Sequence, residues 1–133
     1  MEGPRLDGVR VLLIEDNDDS RELMRACLEF RGAVVRDCES VNAARAALAA
    51  EWRPHVVLSD IGLPEEDGFA FVDWVRAHPD RAIAAMPVIA VTAWPGSELR
   101  AHAADAGFVG YLEKPISPAR LASEVARAVT EAT

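Results

Sequence analysis

Short apolar runs alternate along the chain with longer stretches in which apolar residues recur every three or four positions. The runs are Val9–Ile14, Ala33–Cys38, His55–Ser59, Pro87–Thr92 and Val109–Glu113. Runs of this length, bounded by acids or turn-forming residues, read as strands. The first, VRVLLI, is apolar enough to be covered on both faces. The second, AVVRDC, is more polar and is expected nearer an edge. Between them Leu23, Met24, Cys27, Leu28 and Arg31 keep helical spacing, with Asp18 and Asp19 in the first turn and Gly32 past the end. Ser40 caps the helix VNAARAALAAEW, and Pro54 follows it. DGFAFVDWVRAH carries Phe69, Val72 and Val75 on one face, with Pro79 beyond. SELRAHAADAG is an Ala-rich helix closed by Gly107. Ser117 and Pro118 open a last helix with Leu121, Val125 and Val129 inward. Five strands alternating with five helices predict an α/β, doubly wound, five-stranded parallel sheet with helices on both faces. No repeat or linker interrupts the pattern, so residues 1–133 are expected to form a single domain, with 1–8 a loose lead.

Composition narrows the class. A chain of 133 residues, half of them hydrophobic, suffices for one domain with a core. A formal net charge of −8 argues against a nucleic-acid surface, which needs clustered Lys and Arg. The longest apolar stretch, AIAAMPVIAVTAW, is broken by Pro87 and too short to span a bilayer. The N-terminus lacks the apolar centre of a secretory signal. No membrane insertion and a cytoplasmic location are the expectations. Cys27 and Cys38 lack CxxC spacing and read as two packed thiols.

Ligands of an open parallel sheet bind beyond the carboxyl ends of its strands. Glu15 and Asp16 follow the first strand, Asp60 the third, Thr92 ends the fourth, and Lys114 and Pro115 follow the fifth. If the first and third strands are neighbours, three carboxylates converge. Two unit charges 4 Å apart repel by roughly 4 kcal/mol at an effective dielectric near 20, so the cluster calls for raised pKa values or a cation. Mg²⁺, a hard ion content with one or two carboxylates plus waters, answers that need. A nucleotide-binding turn would be Gly-rich; here it is EDNDD, which repels a bare phosphate. His55, His78 and His102 fall away from these strand ends and read as structural or surface residues.

The pieces LLIED, VVLSDIGLPEEDG, VIAVTA and GYLEKP, in this order and on these elements, resemble the receiver domain of bacterial two-component response regulators. The resemblance covers about Val9 to Ala132 and implies a flavodoxin-like fold with strand order 2-1-3-4-5. It implies that Asp60 accepts a phosphoryl group from a histidine kinase, from a histidine phosphotransfer protein or from a small acyl phosphate. Mg²⁺ would be held by Glu15, Asp16, Asp60 and the backbone carbonyl of Gly62. Lys114 and Thr92 would meet the phosphoryl group, and Thr92 and Tyr111 would form a switch. The switch would alter the face of the fourth helix, fifth strand and last helix for a downstream protein target. The Lys114–Pro115 bond is expected to be cis. A carboxylate nucleophile needs no general base, so the chemistry is positioning and charge neutralisation, self-catalysed and without enzymatic turnover.

Three positions depart from the family's usual pattern. Glu15 stands where a second Asp is common. Gly62 gives the phosphoryl group no shield, whereas Trp94 is bulky enough to exclude water; the expectation is that exclusion wins and the modification persists. Two rival readings are a degenerate receiver acting only as an interaction module and an Asp-nucleophile phosphohydrolase. The second needs an Asp two residues after the nucleophile, where this chain has Gly62. These residues hold no fused DNA-binding or enzymatic module, so output is expected through a protein contact or a module outside them; the opening PRLDGVRVL also resembles the lead-in to receivers of hybrid histidine kinases, which leaves a fragment of a larger protein as a reading.

Overall fold

The apolar runs pair side by side, each with the polypeptide running the same way. A computed structural model describes residues 3–50, 52–61, 68–93 and 96–132. Its strands are β1 (Arg10–Ile14), β2 (Val34–Cys38), β3 (Val56–Asp60), β4 (Val88–Thr92) and β5 (Gly110–Glu113), all parallel, in the order β2-β1-β3-β4-β5. The helices among the described residues are α1 (Asp18–Phe30), α2 (Val41–Ala49), α3 (Gly68–Arg76), α4 (Arg81–Ala84), α5 (Ser97–Ala106) and α6 (Pro118–Ala132). The expected strand order is met, and β2 lies at an edge with Val34 and Arg36 exposed.

Side chains alternate across the sheet and divide the core in two. Val11, Leu13, Val56, Leu58, Ile89, Val91 and Leu112 pack against Met24 and Leu28 of α1 and Leu121 and Val125 of α6. Leu12, Ile14, Val57, Val88, Ala90 and Tyr111 pack on the other face, against α2, α3, α4 and α5. The central strands are covered on both faces, which is why their sequences are nearly unbroken in apolar residues. Each fully buried aliphatic side chain stabilises the fold by about 1.5–3 kcal/mol relative to exposure.

Two expectations are corrected. The sixth helix, α4, lies between α3 and β4, capped by Asp80, whose Oδ1 accepts from the Ala82 N–H at 2.9 Å. It buries one residue, Ile83, so it leaves no periodic pattern to read. The lead is not loose from Leu6 onward. Leu6 is buried in the α1–α6 layer, its N–H donates to the Arg31 carbonyl at 2.7 Å, and the Gly8 N–H donates to the Gly32 carbonyl at 3.1 Å. Both cysteines are free thiols. No helix among the described residues is long and apolar enough to cross a membrane.

Arg76 locks the α3 side of the molecule. Its guanidinium donates to the carbonyls of Ala84 (3.0 Å), Met86 (2.7 Å) and Gly107 (2.6 Å). Burial lowers its pKa, and no carboxylate pairs with it among the described residues. Gly107 closes α5 at φ +115°, where a Cβ would sit 3.1 Å from Arg76 Nε. Arg76→Met removes these charge-assisted bonds and leaves three carbonyls without their donor. It should cost about 3 kcal/mol or more, read as a lowered urea midpoint.

A second lock depends on pH. His55 Nδ1 accepts from the Arg10 N–H at 2.9 Å while the His55 N–H donates to the Arg10 carbonyl at 2.8 Å, tying the start of β1 to that of β3. Burial first, and Arg10 second, lower the His55 pKa below its ordinary 6.5. The folded state therefore favours the neutral ring. Its stabilising contribution is present above the unfolded pKa and is lost as pH falls through the folded one. An Asn at position 55 offers an acceptor that does not titrate, so His55→Asn should lose less stability than the parent between about pH 7.5 and 5, by chemical denaturation.

Candidate functional site

The site forms where the strands end. Ile14 pairs with Ser59, which sets Glu15 beside Asp60 at one rim of the sheet. The Glu15 N–H donates to the Cys38 carbonyl at 3.0 Å and keeps the chain against β2 for one further residue. Asn17 then caps α1 by accepting from the Ser20 N–H at 2.9 Å, and the exposed Asp16 stands in the turn between. Arg21 braces that turn: its guanidinium donates to the Glu15 carbonyl at 2.9 Å and to Asp18 Oδ1 at 2.6 Å. Gly68, the first residue of α3, lets that helix press on the end of β3. A Cβ there would lie 2.9 Å from Ile61 Cα and 3.0 Å from the Asp60 carbonyl oxygen.

Glu15, Asp16 and Asp60 each bring one ligand oxygen within 4.8 Å of the others. Lys114 closes the group from β5. Its Nζ donates to Glu15 and lies 3.1 Å from Asp60 Oδ2. The Lys114 N–H donates to the Thr92 carbonyl at 2.7 Å, so the residue after β5 is held to the end of β4. The Lys114–Pro115 bond is cis. The Glu15 side chain is 1% exposed, those of Asp60 and Lys114 are 13% and 22% exposed, and Asp16 is exposed, so the site is closed at Glu15 and opens toward the other three.

Burial raises the Glu15 pKa, against the lowering effect of Lys114 and of the Asn17 N–H at 3.1 Å; the Asp60 charge adds to the rise. Burial pulls the Lys114 ammonium the other way, but Glu15 and Asp60 outweigh it and leave its pKa raised. Three carboxylates face one ammonium, a deficit of two positive charges. The donors are all oxygens, with no sulfur or imidazole among them. That set suits a hard divalent cation such as Mg²⁺.

Thr92 is buried at the end of β4, opposite Glu113. Tyr111 pairs with Ala90, two positions back on β5, and its ring is buried on the α5 side. Gly62 and Trp94 lie outside the described residues. The three histidines stand away from the site: His55 in the β1–β3 lock, His78 accepting from the Asp80 N–H at 3.0 Å, and His102 exposed beside Phe69. Sequence reasoning missed Arg21, Gly68 and the Lys114–Glu15 contact. Arg21 does follow Asp18 by one helical turn, but nothing local marks the Glu15 carbonyl as its partner.

A doubly wound parallel sheet with an acidic cluster and a lysine at its carboxyl rim defines the class. The sequence matches the family described as response regulator receiver domain over residues 11–126, and the chain belongs to that family, as the receiver domain of a two-component response regulator. The polar-differentiation response regulator DivK of Brucella anthropi is 36% identical over 113 residues, 83% of this chain and 87% of that protein. The transcriptional regulatory protein GltR of Pseudomonas aeruginosa is 34% identical over 119 residues, 90% of this chain but 48% of that protein, so the chain spans about half of that relative. The chemotaxis response regulator CheY4 of Vibrio cholerae superposes with a TM-score of 0.83 at 26% identity, over 91% of this chain and 98% of that one.

Lys114 occupies two of the three carboxylates and repels an incoming cation. Lys114→Met should therefore bind Mg²⁺ roughly thirtyfold more tightly than the parent by titration calorimetry, since a unit charge about 4 Å from a dication costs about 2 kcal/mol in a water-like dielectric.

Proposed function

We propose that the chain is a phosphoacceptor switch in a phosphorelay and that Asp60 is the residue modified. One observation carries this reading: Lys114 Nζ stands 3.1 Å from Asp60 Oδ2, while the ligand oxygens of Glu15, Asp16 and Asp60 lie within 4.8 Å of one another. Glu15, Asp16, Asp60 and the Gly62 carbonyl are the residues that would hold Mg²⁺, which when bound supplies neutralisation of the transferring oxygens. Asp60 offers a carboxylate oxygen to the phosphorus of a donor phosphohistidine. The new P–O bond forms as the P–N bond breaks, and the imidazole keeps the electron pair. Lys114 pairs with an oxygen of the arriving group, and the Thr92 hydroxyl meets another.

The donor is a histidine kinase or a histidine phosphotransfer protein. The reaction is phosphotransfer onto the chain itself, followed by its own dephosphorylation, with no separate substrate turned over. A phosphoryl group brings about −1.5 to −2 charges and three acceptor oxygens. Thr92 and Tyr111 pass that change to the face of α5, β5 and α6, where a downstream protein binds. The acidic balance of the chain supports no direct nucleic-acid contact, and the relay places it in the cytoplasm.

Incubation with acetyl phosphate and Mg²⁺ should add one phosphoryl group to the parent by intact mass, and none to Asp60→Asn or to the parent with the metal chelated. An unchanged mass, both with acetyl phosphate and with a phosphorylated phosphotransfer protein, would leave the interaction-module reading in its place.

A further inference from the structure

We propose that Arg100 is a clamp on the switch tyrosine: one guanidinium on α5 holds the Tyr111 ring in its buried position and ties α5 to β5. Arg100 Cζ lies 5.1 Å from the centroid of the Tyr111 ring. The same guanidinium is 3.4 Å from Glu113 Oε1, two residues further along β5. Arg100 thus touches the strand at two successive residues of one face. One is the tyrosine; the other pairs with Thr92 across β4.

The space around this contact is open. Two surface cavities, of about 240 and 560 Å³, are each lined by Arg100 and Tyr111. Tyr111 is nonetheless only 6% exposed. On this side Arg100, a long side chain standing at the mouth of a cavity, lies over the ring. The Arg100 side chain is itself 56% exposed and Glu113 40%, so the ion pair contributes little to folding. The contact is placed to bias the ring rather than to hold the domain together.

The clamp couples to the site through β4. An attraction that exists with the ring inward favours every state in which the ring is inward, and a ligand that selects such a state is helped by the same factor. This part rests on the phosphoacceptor reading, in which Thr92 turns toward the phosphoryl group and the tyrosine fills the space it leaves. Losing one exposed cation–π contact and one surface ion pair should weaken beryllofluoride binding about two- to fivefold.

Tyr111 is the sole tyrosine of the chain, so ring-labelled tyrosine gives a single reporter. The parent, Arg100→Ala, Arg100→Lys and Glu113→Gln would be compared by NMR without ligand, then titrated with beryllofluoride and Mg²⁺. Arg100→Ala should move the ring signals toward their random-coil positions and speed nitration of Tyr111. Arg100→Lys, which keeps the cation, should recover part of the difference, and Glu113→Gln should fall between parent and Ala. Ring signals and nitration rate unchanged in Arg100→Ala would overturn the clamp. Equal beryllofluoride affinity in parent and Arg100→Ala would overturn its coupling to the site. A parent that ignores beryllofluoride would instead overturn the phosphoacceptor reading, and the ligand-free comparison would still decide the clamp.

Discussion

Negative charge gathered at the end of a parallel sheet is the constraint around which this molecule is arranged. Glu15 and Asp60 come from neighbouring strands and would repel each other without the Lys114 ammonium between them. The lysine reaches them from the far edge of the sheet, across β4. Its own position depends on the 2.7 Å bond from its N–H to the Thr92 carbonyl. The site is therefore a closure: β1, β3, β4 and β5 must all be in register before the charges balance. Even then one ammonium does not balance three carboxylates, and the remainder is an electrostatic demand for a divalent ion.

The layers behind the rim make this arrangement affordable. Apolar strands covered on both faces hold their register tightly, because a slip by one residue would move every side chain into the opposite layer, where the packing partners differ. Small residues then decide how closely the elements approach. Gly68 admits α3 to within contact of the Asp60 backbone, and Arg76 gathers the ends of α4 and α5 onto α3 through three carbonyls. The acidic turn is fixed on the other side by Arg21, which holds the Glu15 carbonyl while pairing with Asp18. Gly68 and Arg21 act on the backbone of Asp60 and Glu15, so they help place those residues without competing for their carboxylates.

Much of this is legible in the residues, for a physical reason. Strands buried on both faces must be continuously apolar, so β1, β3 and β4 announce themselves, and charges at their ends stand out against that background. Asp60 after HVVLS could be singled out because a carboxylate at the end of a buried strand needs explaining. What stays hidden is whatever depends on a single contact. Ile83 is the one buried residue of α4 and Leu6 the one buried residue of the described lead, so neither creates a periodicity. Arg76 is written like any surface arginine, since the carbonyls that surround it come from two separate stretches of chain, at Ala84–Met86 and at Gly107. Lys114 suggested a partner in Asp60, but its contact with Glu15 depends on side-chain reach across the rim, which spacing along the chain does not encode.

On the phosphoacceptor reading proposed above, the same closure would let a change at Asp60 be felt about two strands away. Lys114 divides its attraction between Glu15 and Asp60, and an oxygen-rich group arriving on Asp60 competes for it. Any redistribution of that ammonium pulls on a residue whose backbone is bonded to Thr92, and Thr92 stands opposite Glu113. A full reversal of a two-state population from 1:99 to 99:1 requires about 5.5 kcal/mol. One charge-assisted bond from the Thr92 hydroxyl supplies roughly 1.5–3 kcal/mol. On that reading the balance would have to come from a rearranged lysine and a bound cation, or else the shift would be partial. A weak contact such as Arg100 on the Tyr111 ring can then tune the outcome: when the driving terms fall short of completion, about a kilocalorie at the receiving end changes the populations several-fold.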